Sequence, residues 1–173
     1  GATFQDSADV IDQTDVGMTA LYAADSAALA SLSRAIGRLD YAAELGARAA
    51  DLTSGMNALM WSEVDGLYFN RQWTATGGAF AEPKVAAPTS FYPLLVGAAS
   101  DAQAKRMVTR WLANATEFCV APPAAANSSD GRASCGAYGM PSVSRSSPAF
   151  ADNSYWRGRA WGPMNALVYL GLR

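Results

Sequence analysis

The chain has 173 residues, of which 50% are hydrophobic and only 16% are charged, so it carries enough apolar material for one packed core. Its 13 basic and 15 acidic residues give a formal charge of -2, and no basic run is present, which argues against a nucleic-acid partner. The sequence contains no histidine, so the usual Ser-His-Asp and Cys-His forms of catalysis are excluded, and we expect neither a metal site nor a cofactor. Any chemistry must come from carboxylates, hydroxyls or arginine.

The first third of the chain predicts two helices. Apolar residues recur at helical spacing from Asp15 until Gly37, which is a natural helix end; they are Met18, Leu21, Tyr22, Leu29, Leu32 and Ile36. A second helical stripe follows, made of Tyr41, Leu45, Ala49, Leu52, Met56, Leu59 and Met60. The short connection between the two predicts an antiparallel hairpin.

The middle of the chain predicts a strand-like excursion and a second helical pair. Asp65-Gly66 is a turn signal, and the apolar residues 67–69 have strand character. Residues 74–87 are expected to form a loop, and 88–99 a helix that is kinked or broken at Pro93. Ser100 and Gln103 form a capping box for the next helix, and a last helix is expected from Pro163.

These elements favour an open array of helix pairs over a closed bundle. Stacked helix pairs bury apolar surface only against their neighbours, so an incomplete ring leaves both of its ends exposed. The chain begins without methionine and stops at Arg173 without a helix stop signal, so we expect a piece of a longer polypeptide, truncated at both ends. No apolar run approaches the roughly 20 residues that a membrane span needs.

A long loop insertion is predicted over residues 114–154. Its stretch between Cys119 and Cys135 has no helical or strand periodicity, and a disulfide that closed this loop would be worth about 3 kcal/mol. Two buried free thiols are the alternative. The sequons at Asn114 and Asn127 lie in or beside the same loop. Together these features favour the secretory pathway or the extracellular space.

The densest chemical signal is the run of aromatic and arginine residues just before the last helix: Tyr155, Trp156, Arg157, Gly158, Arg159 and Trp161. Indole faces stack on the C–H faces of sugars, and arginine donates hydrogen bonds to hydroxyls, so this composition suits a carbohydrate pocket. Gly158 would let the backbone approach a ligand. The alternative is a structural aromatic cluster with a buried arginine-carboxylate pair.

Several motifs together resemble glycoside hydrolase family 63 and its trehalase-like relatives. They run in family order over most of the chain: Asp15-Val16-Gly17-Met18 with Leu21-Tyr22, Leu59-Met60-Trp61 with Asp65-Gly66-Leu67-Tyr68, Thr89 to Leu94, Pro141 to Ser144, Pro148-Ala149-Phe150, and Tyr155-Trp156-Arg157-Gly158 through Trp161, Pro163-Met164-Asn165 and Leu172. The resemblance implies an all-α fold, part of an (α/α)6 toroid, whose central pocket hydrolyses α-glycosidic bonds with inversion. It also implies that residues 1–173 are a partial domain of this kind.

The resemblance also implies roles for single residues. Tyr155, Trp156, Arg157, Gly158 and Trp161 would line the sugar subsite, with Trp156 or Trp161 as a stacking platform. The sequence departs from the family at Gly162, where relatives commonly have proline. The acid and base of the family should lie before Gly1 and beyond Arg173, so the catalytic residues are unknown and expected outside this chain.

The carboxylates within the chain are expected to have other roles. Asp6, Asp9 and Asp12 are interpreted as solvated loop residues, and Glu63 and Asp65 as solvated turn residues. Asp15 is expected to cap a helix and Asp25 to form a buried hydrogen bond.

The first functional hypothesis is that the chain is part of a glycoside hydrolase catalytic domain and contributes the wall of its sugar pocket. Its partners would be an oligosaccharide or glycoside substrate and the rest of the toroid, from flanking sequence or other chains. The second hypothesis is a catalytically silent toroid that binds glycans or has a structural role in an extracellular assembly. A helical-repeat interaction domain would explain the hairpins but not the aromatic cluster.

Overall fold

The computed structural model describes residues 4–5, 10–73, 80–81, 83–120 and 139–173. Its α-helices are α1 (Val16–Ala35), α2 (Leu39–Leu59), α3 (Asp101–Met107) and α4 (Gly162–Gly171). Two 3₁₀ helices cover Pro88–Val96 and Pro148–Asp152, and a π-helical turn, Val108–Leu112, continues α3. The strands are β1 (Phe4–Gln5), β2 (Val10–Ile11), β3 (Gln13–Thr14), β4 (Trp61–Ser62), β5 (Leu67–Tyr68), β6 (Arg71–Trp73) and β7 (Phe80–Ala81).

Local signals set the helix ends as predicted. The Asp15 carboxylate accepts from the backbone N–H of Met18 at 2.8 Å, which caps α1. Gly37 has a φ of +76° in the short connection to α2, a conformation that glycine adopts without strain. At the start of α3, the backbone N–H of Ser100 donates to the Gln103 side chain at 2.9 Å, and the N–H of Gln103 donates back to Ser100 Oγ at 3.4 Å.

The segment predicted as a helix over 88–99 is a 3₁₀ helix that ends at Val96. Pro93 has no N–H to donate, so it cannot take part in a regular α-helical ladder. Gly97, with a φ of +62°, ends the segment in the left-handed conformation.

α1, the 88–96 helix and α4 lie side by side and run in the same direction. A Cβ on Gly17, in the first turn of α1, would lie 2.7 Å from Thr89 Cβ at the start of the 88–96 helix. A Cβ on Gly171, at the end of α4, would lie 2.9 Å from Leu94 Cβ near the other end of that helix. Glycine therefore permits both close contacts. Since the start of α1 meets the start of the 88–96 helix and the end of α4 lies near its end, all three helices begin at the same end of the molecule. α2 packs against α1. Arg48, in the middle of α2, donates to the hydroxyl of Tyr22, in the first half of α1, at 2.9 Å, which fits the predicted antiparallel hairpin.

α1 is apolar on two opposite faces. The buried residues of α1 are Val16, Gly17, Ala20, Ala23, Ser26 and Ala30. The predicted stripe of larger side chains is mostly exposed, with Met18 at 68%, Leu32 at 63% and Ile36 at 75% of full exposure. Small residues let the neighbouring helices approach closely, and this decides which face is covered within the described residues.

The segments before α1 and after α2 form short antiparallel pairs of strands. β4 pairs with β5, which confirms the predicted excursion after Trp61. β6 pairs with both β3 and β7, so part of the stretch 74–87 that was predicted as loop is extended and paired. Residues 74–79 and 82 lie outside the described residues. Within the described part of the chain, no helix is long and apolar enough to cross a lipid bilayer.

Candidate functional site

The aromatic loop, defined here as residues 153–161, lies at the end where the three parallel helices begin. It leads directly into α4, whose N-cap is Trp161. Pro141 bridges to Ala160 of the loop, and three residues later the N–H of Ser144 donates to the carbonyl of Ala86, just before the 88–96 helix, at 2.9 Å. The loop is therefore fixed beside the first turns of this helix row.

The three aromatic residues of the loop form one cluster. The indole rings of Trp156 and Trp161 stack with centroids 4.2 Å apart and planes inclined by 19°. The Tyr155 ring meets both indoles edge-on, at 5.5 and 5.2 Å. The Trp161 Nε1–H donates to the Tyr155 carbonyl at 3.0 Å. Although large aromatic groups are usually buried, Tyr155 stays 63% and Trp156 46% exposed.

The backbone of the loop adopts unusual conformations. Asn153 and Tyr155 have positive φ angles of 45° and 46°, which side chains other than glycine rarely take. Gly158 has a φ of 114°, and a Cβ on it would lie 2.8 Å from the Phe150 carbonyl oxygen. Glycine is thus required at this position by a contact within the protein itself, and the expectation that Gly158 lets the backbone approach a ligand stays a prediction. Such strained backbone is commonly found at functional sites.

Arg157 pairs with a carboxylate at the entrance of the loop. Its Nε lies 2.5 Å from Asp152 Oδ2, and the two side chains are 59% and 44% exposed. The buried arginine-carboxylate pair of the structural alternative is therefore present as a pair, but it is open to solvent. Among the described residues, none accepts a hydrogen bond from the two terminal amino groups of Arg157.

Two polar residues, Ser142 and Asn165, hold the loop in place. The N–H of Gly158 donates to Ser142 Oγ at 3.1 Å, and the N–H of Ser142 donates to the Arg159 carbonyl at 2.9 Å. The Asn165 amide, in the first turn of α4, accepts from the N–H of Met140 at 2.6 Å and donates to the Trp161 carbonyl at 3.0 Å. Both residues lie in quoted family motifs, but the sequence did not show which backbone groups they bind.

The carboxylates near α1 are placed differently from expectation in two cases. Asp12 is only 2% exposed and accepts from Gln72 Nε2 at 2.9 Å, so its interpretation as a solvated loop residue was wrong. Asp25 is exposed and forms no hydrogen bond among the described residues, so this part of the chain does not contain the buried hydrogen bond expected of it. Asp15 caps α1 as predicted and accepts from Asn70 Nδ2 at 3.1 Å. Asp6 and Asp9 lie outside the described residues.

The two carboxylates of the β4–β5 turn, Glu63 and Asp65, both accept hydrogen bonds from neighbouring side chains. Glu63 is exposed, and hydrogen bonds from the Trp61 indole and then from Arg106 hold its pKa below the usual value. Asp65 is partly buried and accepts from Lys84 Nζ and Ser62 Oγ, both at 2.7 Å, and these contacts lower its pKa. The interpretation of Asp65 as solvated is corrected, since it links the β4–β5 turn to Lys84.

The described part of the predicted insertion includes one sequon and one cysteine. Asn114 Oδ1 accepts from Thr116 Oγ1 at 2.9 Å, while its Nδ2 donates to the Arg110 carbonyl at 3.1 Å. Cys119 is 1% exposed. Asn127 and Cys135 lie outside the described residues, so the second sequon and the pairing of the cysteines stay predictions.

Comparison with known proteins places the fold. The crystal structure of GH63 mannosylglycerate hydrolase from Thermus thermophilus in complex with Tris matches with a TM-score of 0.70 at 23% identity, over 92% of this chain and 33% of that one. The same enzyme in complex with glucose matches with a TM-score of 0.68 at 24% identity, over 92% and 34%. Neutral trehalase from Saccharomyces cerevisiae matches with a TM-score of 0.66 at 16% identity, over 93% and 28%.

These matches confirm that the helix rows form part of an (α/α)6 toroid. The chain spans about a third of the length of the solved structures that it matches. No curated protein sequence matches it. The sequence profile of the mannosylglycerate hydrolase MGH1-like glycoside hydrolase domain matches residues 4–173. The chain therefore belongs to the MGH1-like glycoside hydrolase domain family.

Proposed function

We propose that the chain is part of the catalytic domain of a glycoside hydrolase that cleaves α-glycosidic bonds with inversion, and that the aromatic loop forms a wall of its sugar pocket. One observation carries the pocket assignment. An exposed indole, Trp156, is fixed by stacking on Trp161, and the neighbouring Arg157 has terminal donors without a described acceptor.

The geometry of the loop suits a sugar ring. A pyranose offers apolar C–H faces and peripheral hydroxyls, so it is bound well by an aromatic face next to hydrogen-bond donors. Because one face of Trp156 is occupied by Trp161 and the residue is 46% exposed, we assign its opposite face to the ligand. Asp152 lies against Arg157 Nε, and we assign the terminal amino groups, which have no acceptor among the described residues, to substrate hydroxyls.

Inversion needs a general acid and a general base, two carboxylates about 6.5–9.5 Å apart with a water between them. We propose that both come from parts of the domain outside this chain. The described carboxylates support this assignment, because Asp12, Asp15 and Asp65 are each engaged with neighbouring side chains or backbone groups. The length of the related structures supports it as well, since about two thirds of each lies outside the match.

The proposed partner of this chain is the rest of the toroid. The exposed stripe of α1 and the exposed side chains Tyr169, Leu170 and Leu172 at the end of α4 form apolar surface at the two sides of the helix row. Apolar stripes of this extent are normally buried against another element. Neighbouring helical hairpins of the same ring would bury them.

The pocket assignment is tested by Trp156→Ala in the complete protein. We expect sugar affinity, measured by isothermal calorimetry with a panel of mannosides and glucosides, to fall at least tenfold, or about 1.4 kcal/mol. Trp73→Ala is the matched control, because Trp73 is also exposed but lies on β6 outside the loop. Equal affinities for the Trp156→Ala variant and the unaltered protein would contradict the assignment.

Hydrolysis by the same preparation separates the enzyme from the catalytically silent alternative. An inverting enzyme releases the sugar with the opposite anomeric configuration, which nuclear magnetic resonance detects directly during the reaction. Binding without release of sugar would favour the silent glycan-binding toroid. Membership in a glycoside hydrolase family favours the enzyme.

We also propose that the protein enters the secretory pathway. It would then carry a disulfide between Cys119 and Cys135 and glycans at Asn114 and Asn127. The Asn114 sequon supports this, because Thr116 already binds the asparagine side chain and is exposed. Mass spectrometry of the native protein, with and without reduction and enzymatic deglycosylation, tests it. A mass equal to that of the bare, fully reduced polypeptide would contradict both modifications.

A further inference from the structure

The exposed face of α1 carries one carboxylate in the middle of an apolar stripe. The stripe residues are spaced by three and four positions and therefore share one face of the helix; they are Met18, Tyr22, Asp25, Leu29, Leu32 and Ile36. Asp25 lies at the centre of the series. Among the described residues, none forms a hydrogen bond or an ion pair with its carboxylate.

The charge distribution over the first hairpin indicates that this stripe is an inner surface. α1 contains one acidic and one basic residue, Asp25 and Arg34, and the basic one lies in its last turn. α2 has a charged stripe, formed by Asp40, Glu44, Arg48 and Asp51. Its Arg48 pairs with Glu44 and donates to the Tyr22 hydroxyl at 2.9 Å, so it reaches the edge of the α1 stripe without pairing with Asp25. A helix that is apolar all round is typical of a position buried on every side, whereas a helix with a charged face lies at the surface. α1 thus belongs to the inner row and α2 to the outer one.

We propose that the α1 stripe is covered by a helix from the part of the toroid outside this chain, and that this helix places a Lys or Arg side chain against Asp25. The inference rests on the proposal that the ring is completed by the rest of the domain. Burying an isolated carboxylate is costly, and a hydrogen-bonded cation is the partner that offsets the cost. The solved structures that match this chain are about three times as long, which leaves enough protein to supply such a helix.

The charge pairing is tested in the complete protein with two substitutions, Asp25→Asn and Asp25→Leu. Either one would leave the partner cation buried and unpaired, so we expect both to lower the unfolding midpoint by at least about 3 °C. Asp51→Leu is the matched control, because Asp51 is an exposed carboxylate in the middle of α2, and we expect it to change the midpoint by less than about 1 °C.

The outcomes separate three cases. A neutral Asp25→Asn variant beside a destabilised Asp25→Leu variant would show that the covering group is an uncharged donor, which overturns the cation. Midpoints equal to that of the Asp51→Leu control would show that Asp25 is solvated, which overturns the whole proposal. A third variant, Asp25→Lys, reverses the charge. If a Lys or Arg→Glu substitution on the covering helix restores its unfolding midpoint, the substituted residue is the partner of Asp25 and the proposal is supported.

Coverage of the stripe is measured separately by hydroxyl-radical footprinting. Met18 is 68% exposed in this chain. Because the covering helix would bury it in the complete protein, we expect its oxidation there to be at least tenfold slower than in the unfolded protein. Oxidation at the unfolded rate would overturn the covered stripe. Neither measurement depends on hydrolysis, so a protein without glycosidase activity could still confirm the pairing, and the failure of one proposal is distinguishable from the failure of the other.

Discussion

Asp152 Oδ2 lies 2.5 Å from Arg157 Nε, and among the described residues none accepts a hydrogen bond from the two terminal amino groups of that guanidinium. The planar guanidinium is thereby held by one edge while the other edge is available for hydrogen bonds. This arrangement gives Asp152 a positioning role in the aromatic loop, which the sequence did not indicate.

Asp152→Asn is expected to weaken sugar affinity two- to fivefold in the complete protein. The change removes the charge that orients Arg157, and exposed ion pairs of this kind are worth about 0.2–1 kcal/mol. Calorimetric titration of the variant checks the affinity, while the unfolding midpoint should move by less than about 2 °C. Asp152→Glu, which keeps the charge, should retain most of the affinity. Full affinity in the Asn variant would show that Arg157 is positioned without Asp152.

Gly158→Ala is expected to damage the loop. The added Cβ would lie 2.8 Å from the Phe150 carbonyl oxygen, and alanine at a φ of 114° costs about 1–3 kcal/mol. We expect a lower unfolding midpoint together with weaker sugar binding, because the shift displaces the neighbouring Trp156. Gly46→Ala is the control: Gly46 lies inside α2 with open space around it, and alanine there should stabilise the protein by about 0.5–1 kcal/mol. Wild-type stability and affinity of the Gly158→Ala variant would refute the close-packing argument.

Tyr68 is expected to make stability depend on alkaline pH. Burial raises the pKa of its phenol to about 12, and the hydroxyl donates to Asn57 Oδ1 at 2.6 Å. The folded pKa lies above the unfolded value of about 10, so the contribution is complete below pH 10 and is lost as the pH rises to about 12. A shift of about two units corresponds to roughly 3 kcal/mol.

Urea unfolding of the Tyr68→Phe variant between pH 9 and 12 checks this dependence. The variant should lose about 1–2 kcal/mol at neutral pH, because Asn57 loses a donor, and it should show a flatter pH profile above pH 10. Tyr41→Phe, at an exposed ring, is the control and should keep the steep profile. Parallel profiles for the Tyr68→Phe variant and the unaltered protein would contradict the role of Tyr68.

Ser26→Ala is expected to stabilise the protein by about 1 kcal/mol. The Ser26 hydroxyl is on the buried face of α1 and has no hydrogen-bond partner among the described residues. Removing an unsatisfied buried hydroxyl and introducing a better helix former both favour the folded state. Ser31→Ala, where the exposed hydroxyl binds the Ala27 carbonyl, should change stability by less than about 0.5 kcal/mol. Thermal unfolding measures both variants, and a destabilised Ser26→Ala protein would mean that the hydroxyl has a partner.

The sequence alone determined the first helical hairpin and the caps of α1 and α3, although not the 3₁₀ form and the end of the 88–96 helix. The Asp15 cap, the Gly37 turn and the Ser100–Gln103 capping box are confirmed, because each depends on contacts between residues three or four positions apart. The motifs that end in the Tyr155 to Trp161 segment also indicated the family, because their residue types and order are specific. Local chemistry and order are properties that a linear sequence carries.

Only the tertiary structure decided which surfaces and polar groups meet. Periodicity showed that Met18 and Leu32 share a face of α1, but packing of the small alanines opposite them left that face exposed within the described residues. The burial of Asp12 depends on Gln72, which is distant in sequence. The approach of Phe150 to Gly158 depends on a loop whose positive φ angles turn the chain back on itself. Such contacts are set by the geometry of several elements at once, so no local pattern contains them.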